Sequence, residues 1–188
     1  LVYTGKPITV AYEVKYNNTT LMQGKDYAVT GNSGTDATDY TLKITGKGQY
    51  TGSVEKKWTI TPLTVSVKNV TLNGKQYDGT RNGSSSDVTS VKFKRGSSDS
   101  DIVTLQKGDY TIGSVTYTDA NVSRDAQNVE VEVTLKNPNY TFAGNKQTTQ
   151  VDAQGTIAKA PAPETVPYNL YVVNNKEDTY TLNLSELL

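Results

Sequence analysis

Apolar and polar residues alternate along much of the chain. Ile8, Val10, Tyr12, Val14 and Tyr16 fall at every second position, with Thr9, Ala11, Glu13 and Lys15 between them. Tyr40, Leu42 and Ile44 alternate with Thr41, Lys43 and Thr45, and Trp58 and Ile60 bracket Thr59. The clearest run is Val129, Val131, Val133 and Leu135 against Glu130, Glu132, Thr134 and Lys136. A strand turns successive side chains to opposite faces, so this spacing predicts antiparallel sheets with one face on a core and one in water. No apolar i, i+3, i+4, i+7 spacing holds over three turns, so no long helix is expected. Tyr110 and Ile112 are out of phase with Val115 and Tyr117, which predicts a β-bulge at Gly113.

The pattern is written twice. Tyr3-Thr4-Gly5 matches Tyr77-Asp78-Gly79, and Gly24-Lys25-Asp26-Tyr27 matches Lys107-Gly108-Asp109-Tyr110. Leu42-Lys43-Ile44 followed by Gln49-Tyr50-Thr51 matches Val133-Thr134-Leu135 followed by Asn139-Tyr140-Thr141. Trp58-Thr59-Ile60-Thr61-Pro62 matches Gly155-Thr156-Ile157 and then Ala160-Pro161. A set of landmarks recurring in the same order is the mark of repeated modules. The spacing widens along the chain, so the second copy is longer, with insertions expected at Asn82–Asp87 and Gly96–Asp101. Each landmark is positional. Tyr-x-Gly sets a large ring beside a residue free to take positive φ, Gly-Asp-Tyr is turn chemistry feeding a strand, and Thr-Ile-x-Pro is a last strand stopped by a residue with no N–H.

Composition narrows the reading further. The chain is rich in Thr, Tyr and Val, with turn formers between them, which suits strands and turns. There is no Cys, so disulfides, thiolate nucleophiles and zinc–thiolate sites are excluded. There is no His, so Ser-His and Cys-His pairs and imidazole ligands are excluded too. Lys plus Arg equals Asp plus Glu, so no global field draws in nucleic acid or an anionic membrane. No apolar run approaches the ~20 residues that span a bilayer, and no signal peptide opens the sequence at Leu1.

The first copy, running Tyr3-Thr4-Gly5-Lys6-Pro7, Gly24-Lys25-Asp26-Tyr27 and Ile44-Thr45-Gly46-Lys47-Gly48-Gln49-Tyr50-Thr51-Gly52 to Trp58-Thr59-Ile60, resembles a repeat common in large surface proteins of gut Gram-positive bacteria. The second, opening Lys75-Gln76-Tyr77-Asp78-Gly79-Thr80, resembles the related YDG-type repeat. Together they cover residues 1 to about 160. The resemblance implies tandem immunoglobulin-like modules in a cell-wall or secreted protein, and it carries over no catalytic residues. The absence of a signal peptide and a sorting motif points to an excised fragment of such a protein.

Several residues invite a chemical reading beside a bland one. The aspartates Asp36 and Asp39, Asp99 and Asp101, and Asp119 and Asp125 resemble pieces of a calcium site, but no Asp-x-Asp-x-Asp-Gly loop is present and solvated turns explain them. Trp58 could stack on a sugar, though a place in sheet packing explains it as well. Asn17, Asn18, Asn69, Asn82, Asn121, Asn139 and Asn183 open Asn-x-Ser/Thr triplets, which arise by chance in so Asn- and Thr-rich a chain. Glu130 and Glu132 share a strand face and are the nearest thing to the paired carboxylates of a glycosidase, but read as a solvated face. An internal Lys–Asn amide bond could replace missing disulfides, although the sequence names no pair.

The expectation is an all-β chain of two tandem immunoglobulin-like β-sandwich domains, residues 1–62 and 63–160. A Pro-rich linker and β-hairpin follow at 161–188, with strands at Tyr168–Val173 and Thr179–Leu184. A lone hairpin is marginal in water, so it should dock on a neighbour or begin a third module. The expected role is a non-catalytic stalk or spacer of a bacterial cell-surface or secreted protein, contributing to adhesion. The alternative is a module binding a glycan or host surface protein through the long loops of the second copy. No catalytic, cofactor-binding or metal residue and no cofactor is assigned. A monomer is expected, with no nucleic-acid partner and no membrane insertion.

Overall fold

The computed structural model describes residues 1–161 and, by backbone alone, Leu170–Tyr171 and Thr179–Tyr180. Every described element is a strand except one 3-10 turn, Ser85–Asp87, so the chain is all-β as its periodicity implies.

The first copy holds β1 (Ile8–Thr9), β2 (Lys15–Tyr16), β3 (Thr19–Thr20), β4 (Tyr27–Thr30), β5 (Ser33–Gly34), β6 (Asp39–Gly46) and β7 (Ser53–Thr59). Its main sheet is β4-β6-β7, antiparallel throughout. Two short ribbons, β1-β5 and β2-β3, complete it. Few of its side chains are deeply buried: Tyr27, Ile44 and Ile60 are the buried hydrophobics ahead of Leu63. This core is smaller than that of the second copy.

The second copy holds β8 (Leu63–Leu72), β9 (Lys75–Gln76), β10 (Asn82–Gly83), β11 (Val88–Arg95), β12 (Ile102–Val103), β13 (Tyr110–Tyr117), β14 (Gln127–Leu135), β15 (Tyr140–Thr141), β16 (Thr148–Gly155) and β17 (Ile157–Ala158). Two four-stranded sheets, β10-β13-β14-β16 and β12-β11-β8-β15, face each other, and a parallel pair β9-β17 closes the edge. Between the sheets lies one cluster built from Val65, Phe93, Val115, Tyr117, Val129, Val131 and Val133 with their neighbours, all nearly inaccessible. Val129 to Leu135 supply one wall of it by strict alternation, as read from the sequence. Of the hydrophobic residues ahead of Leu63, Tyr3 alone packs against this cluster.

The repeat persists down to single hydrogen bonds. Tyr3 N donates to Thr61 O at 2.9 Å, and Tyr77 N donates to Ala158 O at 2.8 Å. Lys47 N donates to Asp26 O at 2.8 Å, and Asn137 N to Asp109 O at 3.1 Å. Tyr50 N donates to Lys47 O at 3.0 Å, and Tyr140 N to Asn137 O at 3.1 Å. Gly5 and Gly79 both sit at φ +76°, the left-handed region that side chains disfavour, which explains the glycine in each Tyr-x-Gly landmark. The sheet β4-β6-β7 thus corresponds to β13-β14-β16.

The bulge falls where the parity change put it: the β13–β14 register slips between Ile112 and Val115, around Gly113. Along residues 8–16 burial alternates as expected, but the strand is interrupted and only its ends form ladders. Tyr16 breaks the pattern at 59% exposed. It precedes Asn17 and Asn18, whose positive φ turns the chain sharply, and its ring meets the edge of Tyr50. The stretches expected as loop insertions are more ordered than that. Asn82–Gly83 is an edge strand on β13, Ser84 caps the 3-10 turn in a reciprocal capping box with Asp87, and Gly96–Asp101 is the turn between β11 and β12. β18 (Leu170–Tyr171) and β19 (Thr179–Tyr180) pair antiparallel at the place of the expected hairpin. The remainder of that segment, and its docking, lie outside the described residues.

The second Tyr-x-Gly landmark is fixed by a sunken lysine. The Lys75 side chain is 7% exposed. Its Nζ donates to Asp78 Oδ1 at 2.7 Å, to Asn82 O at 2.7 Å and to Thr80 O at 3.1 Å, with the Tyr117 ring 6.0 Å away. A buried ammonium is tolerable only when its protons are so matched. The Lys75 ammonium, with the Thr80 N–H and hydroxyl, holds the Asp78 carboxyl down to about 2. The folded chain therefore favours the carboxylate more than the unfolded chain does. That contribution is complete above the ordinary value of 3.8 and is lost as pH falls toward about 2. In Asp78→Asn the urea midpoint is expected to be lower at neutral pH and to fall less between those two pH values than in the parent. A parallel acid limb in both proteins would show that Asp78 is not coupled to folding.

Candidate functional site: the joint between the repeats

The segment Asn137-Pro138-Asn139-Tyr140 forms a tight turn after β14. Pro138 brings no N–H, the Tyr140 N–H closes the turn, and the Asn137 side chain ties it at both ends. Its Oδ1 accepts from Asn139 N at 3.0 Å and its Nδ2 donates to Asp109 Oδ1 at 2.8 Å. So braced, the turn aims Asn139 at the first repeat. Asn139 is 7% exposed, a buried amide that needs partners on both of its atoms. It finds them across the joint: Oδ1 accepts from Ala37 N at 2.6 Å and Nδ2 donates to Asp36 Oδ1 at 2.9 Å. Its backbone oxygen accepts from Leu63 N at 2.9 Å, where the chain enters the second repeat. One residue therefore grips the first repeat, the crossover and its own turn.

Beside Asn139 in sequence, Tyr140 meets Tyr3 of the first repeat edge to face, with centroids 5.4 Å apart. On the first-repeat side the Asp36 carbonyl accepts from the Tyr40 hydroxyl at 2.9 Å. Tyr40 in turn stacks on Trp58 at 4.6 Å, and the indole N–H is held by Gly31 O at 2.9 Å. Trp58 is thus half-buried against Tyr40 with its N–H satisfied, a packing role.

The other sequence candidates lie apart from one another. Asp36 belongs to the joint, while Asp39 accepts from the Thr59 hydroxyl at 2.6 Å within the first sheet. Asp99 pairs with Lys94 at 2.5 Å and Asp101 with Arg95 at 2.8 Å, both on the surface of the β11–β12 turn. The Lys94 ammonium holds the Asp99 carboxyl below its usual value. Asp119 accepts from the backbone and side chain of Asn121, which lowers its carboxyl likewise. Among the described residues no group of three or more acidic side chains is placed to hold a metal ion. Glu130 lies opposite Asp152 in the β14–β16 ladder and Glu132 opposite Gln150, whose amide it accepts at 3.1 Å. The buried lysine, Lys75, meets Asn82 through a backbone oxygen and not through an amide side chain. No helix among the described residues is long and apolar enough to cross a membrane.

Sequence reasoning missed Asn139. It registered there a repeat landmark and a chance Asn-x-Thr triplet, both without a binding role. The matched position in the first copy is Gln49, which is exposed, and nothing local distinguishes a buried amide from an exposed one. Comparison with family models, curated proteins and solved structures finds no match to this chain.

Proposed function

We propose that the chain is a non-catalytic repeat segment of a bacterial cell-surface or secreted protein, a stalk or spacer that contributes to adhesion by carrying a distal part away from the surface. The observation that carries this reading is how each repeat closes. In both, the Tyr-x-Gly segment lies parallel to the last strand: Val2 with Thr61, and Lys75 and Gln76 with Ile157 and Ala158. Tension along the chain pulls a last strand lengthwise past its parallel neighbour. The cross-strand bonds then share the load, where an antiparallel pair pulled from one end opens bond by bond. The Asn139 joint passes that load between repeats without a loose linker.

Force spectroscopy tests the reading. Tyr77→Pro deletes the N–H that donates to Ala158 O, and Tyr77 is 43% exposed, so little packing is lost. The expected result is a lower unfolding force for the second repeat and an unchanged force for the first. An unchanged force for both would remove the support for a load-bearing role.

A further inference from the structure

Both repeats finish in the same edge. In the first, Tyr3 N reaches Thr61 O on one side of the last strand, and on the other side Ile60 N donates to Thr38 O at 3.0 Å. In the second, Tyr77 N reaches Ala158 O, and on the other side Ser123 N donates to Ile157 O at 3.0 Å. The flanking segment carries one tripeptide in both copies, Thr35-Asp36-Ala37 and Thr118-Asp119-Ala120. Its aspartate stands ten residues after Asp26 in one copy and ten after Asp109 in the other. In the first repeat this edge is the receiving half of the joint: Asp36 and Ala37 hold the Asn139 amide, and Tyr3 meets Tyr140. The second repeat therefore carries a receiving half of its own, with Tyr77 43% exposed and Asp119 exposed. Asp119 already takes an amide, for Asn121 Nδ2 donates to its Oδ1 at 3.0 Å where the first repeat has Thr38.

The giving half is repeated too. Gln49-Tyr50 matches Asn139-Tyr140, its turn is closed by the same bond, and Gln49 is exposed. Gly48 at φ +62° stands where Pro138 stands, so the tip turns differently. The Gln49 carboxamide still offers the same N–H and C=O, on a side chain one methylene longer. Lys25 lines the hollow beside Gln49, and Lys47 opens the turn. Neither lysine is in an ion pair among the described residues, which leaves positive charge at this tip to meet Asp119. We propose that copies of this chain associate head to tail, the Gln49-Tyr50 tip of one seated on the Tyr77 and Asp119-Ala120 end of the next. The Gln49 amide bonds Asp119 and the Ala120 N–H as Asn139 bonds Asp36 and Ala37, and Tyr50 meets Tyr77. The two faces differ, so the contact is heterologous and its repetition gives open rods. The covalent tether between repeats of one chain is missing between copies, so the contact is weak and single copies predominate in dilute solution.

Sedimentation equilibrium of the full chain tests this, at concentrations up to about 1 mM, the scale of the effective concentration that a short tether supplies. The mean mass of the parent is expected to rise with concentration. Asp119→Ala removes the receiving carboxylate, and Gln49→Asp sets a like charge against it. Each variant alone is expected to stay monomeric where the parent associates. Mixed in equal amounts they keep one intact tip and one intact end between them, so the mixture should form dimers and nothing larger. Those dimers also show that both variants are folded. Asn121→Thr, which places the first-repeat residue at the matching position, frees the Asp119 carboxylate and should strengthen the association severalfold. A parent whose mass stays constant over the whole range overturns the proposal. Association that persists in either variant alone, or a mixture that stays monomeric while the parent associates, overturns it as well by placing the contact on another surface.

Discussion

Phe93→Ala is expected to destabilise the second repeat by about 3–5 kcal/mol, the usual cost of emptying a large aromatic site in a tight core. Phe93 is 1% exposed and meets the edge of Tyr110 at 4.9 Å, at the centre of the cluster between the two sheets. Total stabilities of domains are about 5–15 kcal/mol, so the loss is a large fraction. The experiment also measures how far the repeats fold apart. The chain's one tryptophan, Trp58, lies in the first repeat, so its fluorescence reports that repeat alone. Far-ultraviolet dichroism reports both. The expected outcome is an early dichroism transition in urea and a Trp58 transition that moves much less. Equal shifts by both probes would mean a single cooperative unit and would end the description of two separable modules.

Asn139→Ala is expected to loosen the joint. It removes two cross-repeat hydrogen bonds and leaves the Ala37 N–H and the Asp36 carboxylate without their partner. Stranding such groups costs about 1–3 kcal/mol when they stay buried, less where water enters. The clearer readout is geometric. Spin labels on Lys56 and Glu130, both exposed and one in each repeat, should show a broader distance distribution in the variant than in the parent. Asp36→Ala removes only one of the two bonds and should broaden it less. The two substitutions together should do little more than Asn139→Ala alone, giving a coupling of roughly 0.5–3 kcal/mol in the stability cycle. Strictly additive losses would show that the amide and the carboxylate do not act as a pair.

Much of this architecture was legible as pattern. The inward residues of β6 and β14, the bulge at Gly113 and the equivalence of the Tyr-x-Gly and Gly-Asp-Tyr landmarks all follow from period-2 spacing and turn chemistry. Such features are local, set by residues a few positions apart. What escaped was non-local. The interrupted strand over 8–16 depends on which partners lie alongside, since alternation reports burial and not ladder continuity. The ordering of Asn82–Asp87 depends on β13 offering an edge and on a capping box closing over Ser84. The joint depends on a contact between Asp36 and Asn139, more than a hundred positions apart, that no spacing rule reaches.

The burial of Asn139 has a practical consequence for expression. Asn139-Tyr140-Thr141 is an acceptor triplet, and oligosaccharide is attached to such triplets while a chain is still unfolded in a eukaryotic secretory pathway. A sugar tree on the Asn139 Nδ2 breaks its bond to Asp36 and crowds the contact with Ala37. Material made in yeast or mammalian secretory hosts would carry a wedge between the two repeats, while material from a bacterial cytoplasm keeps the hinge shut.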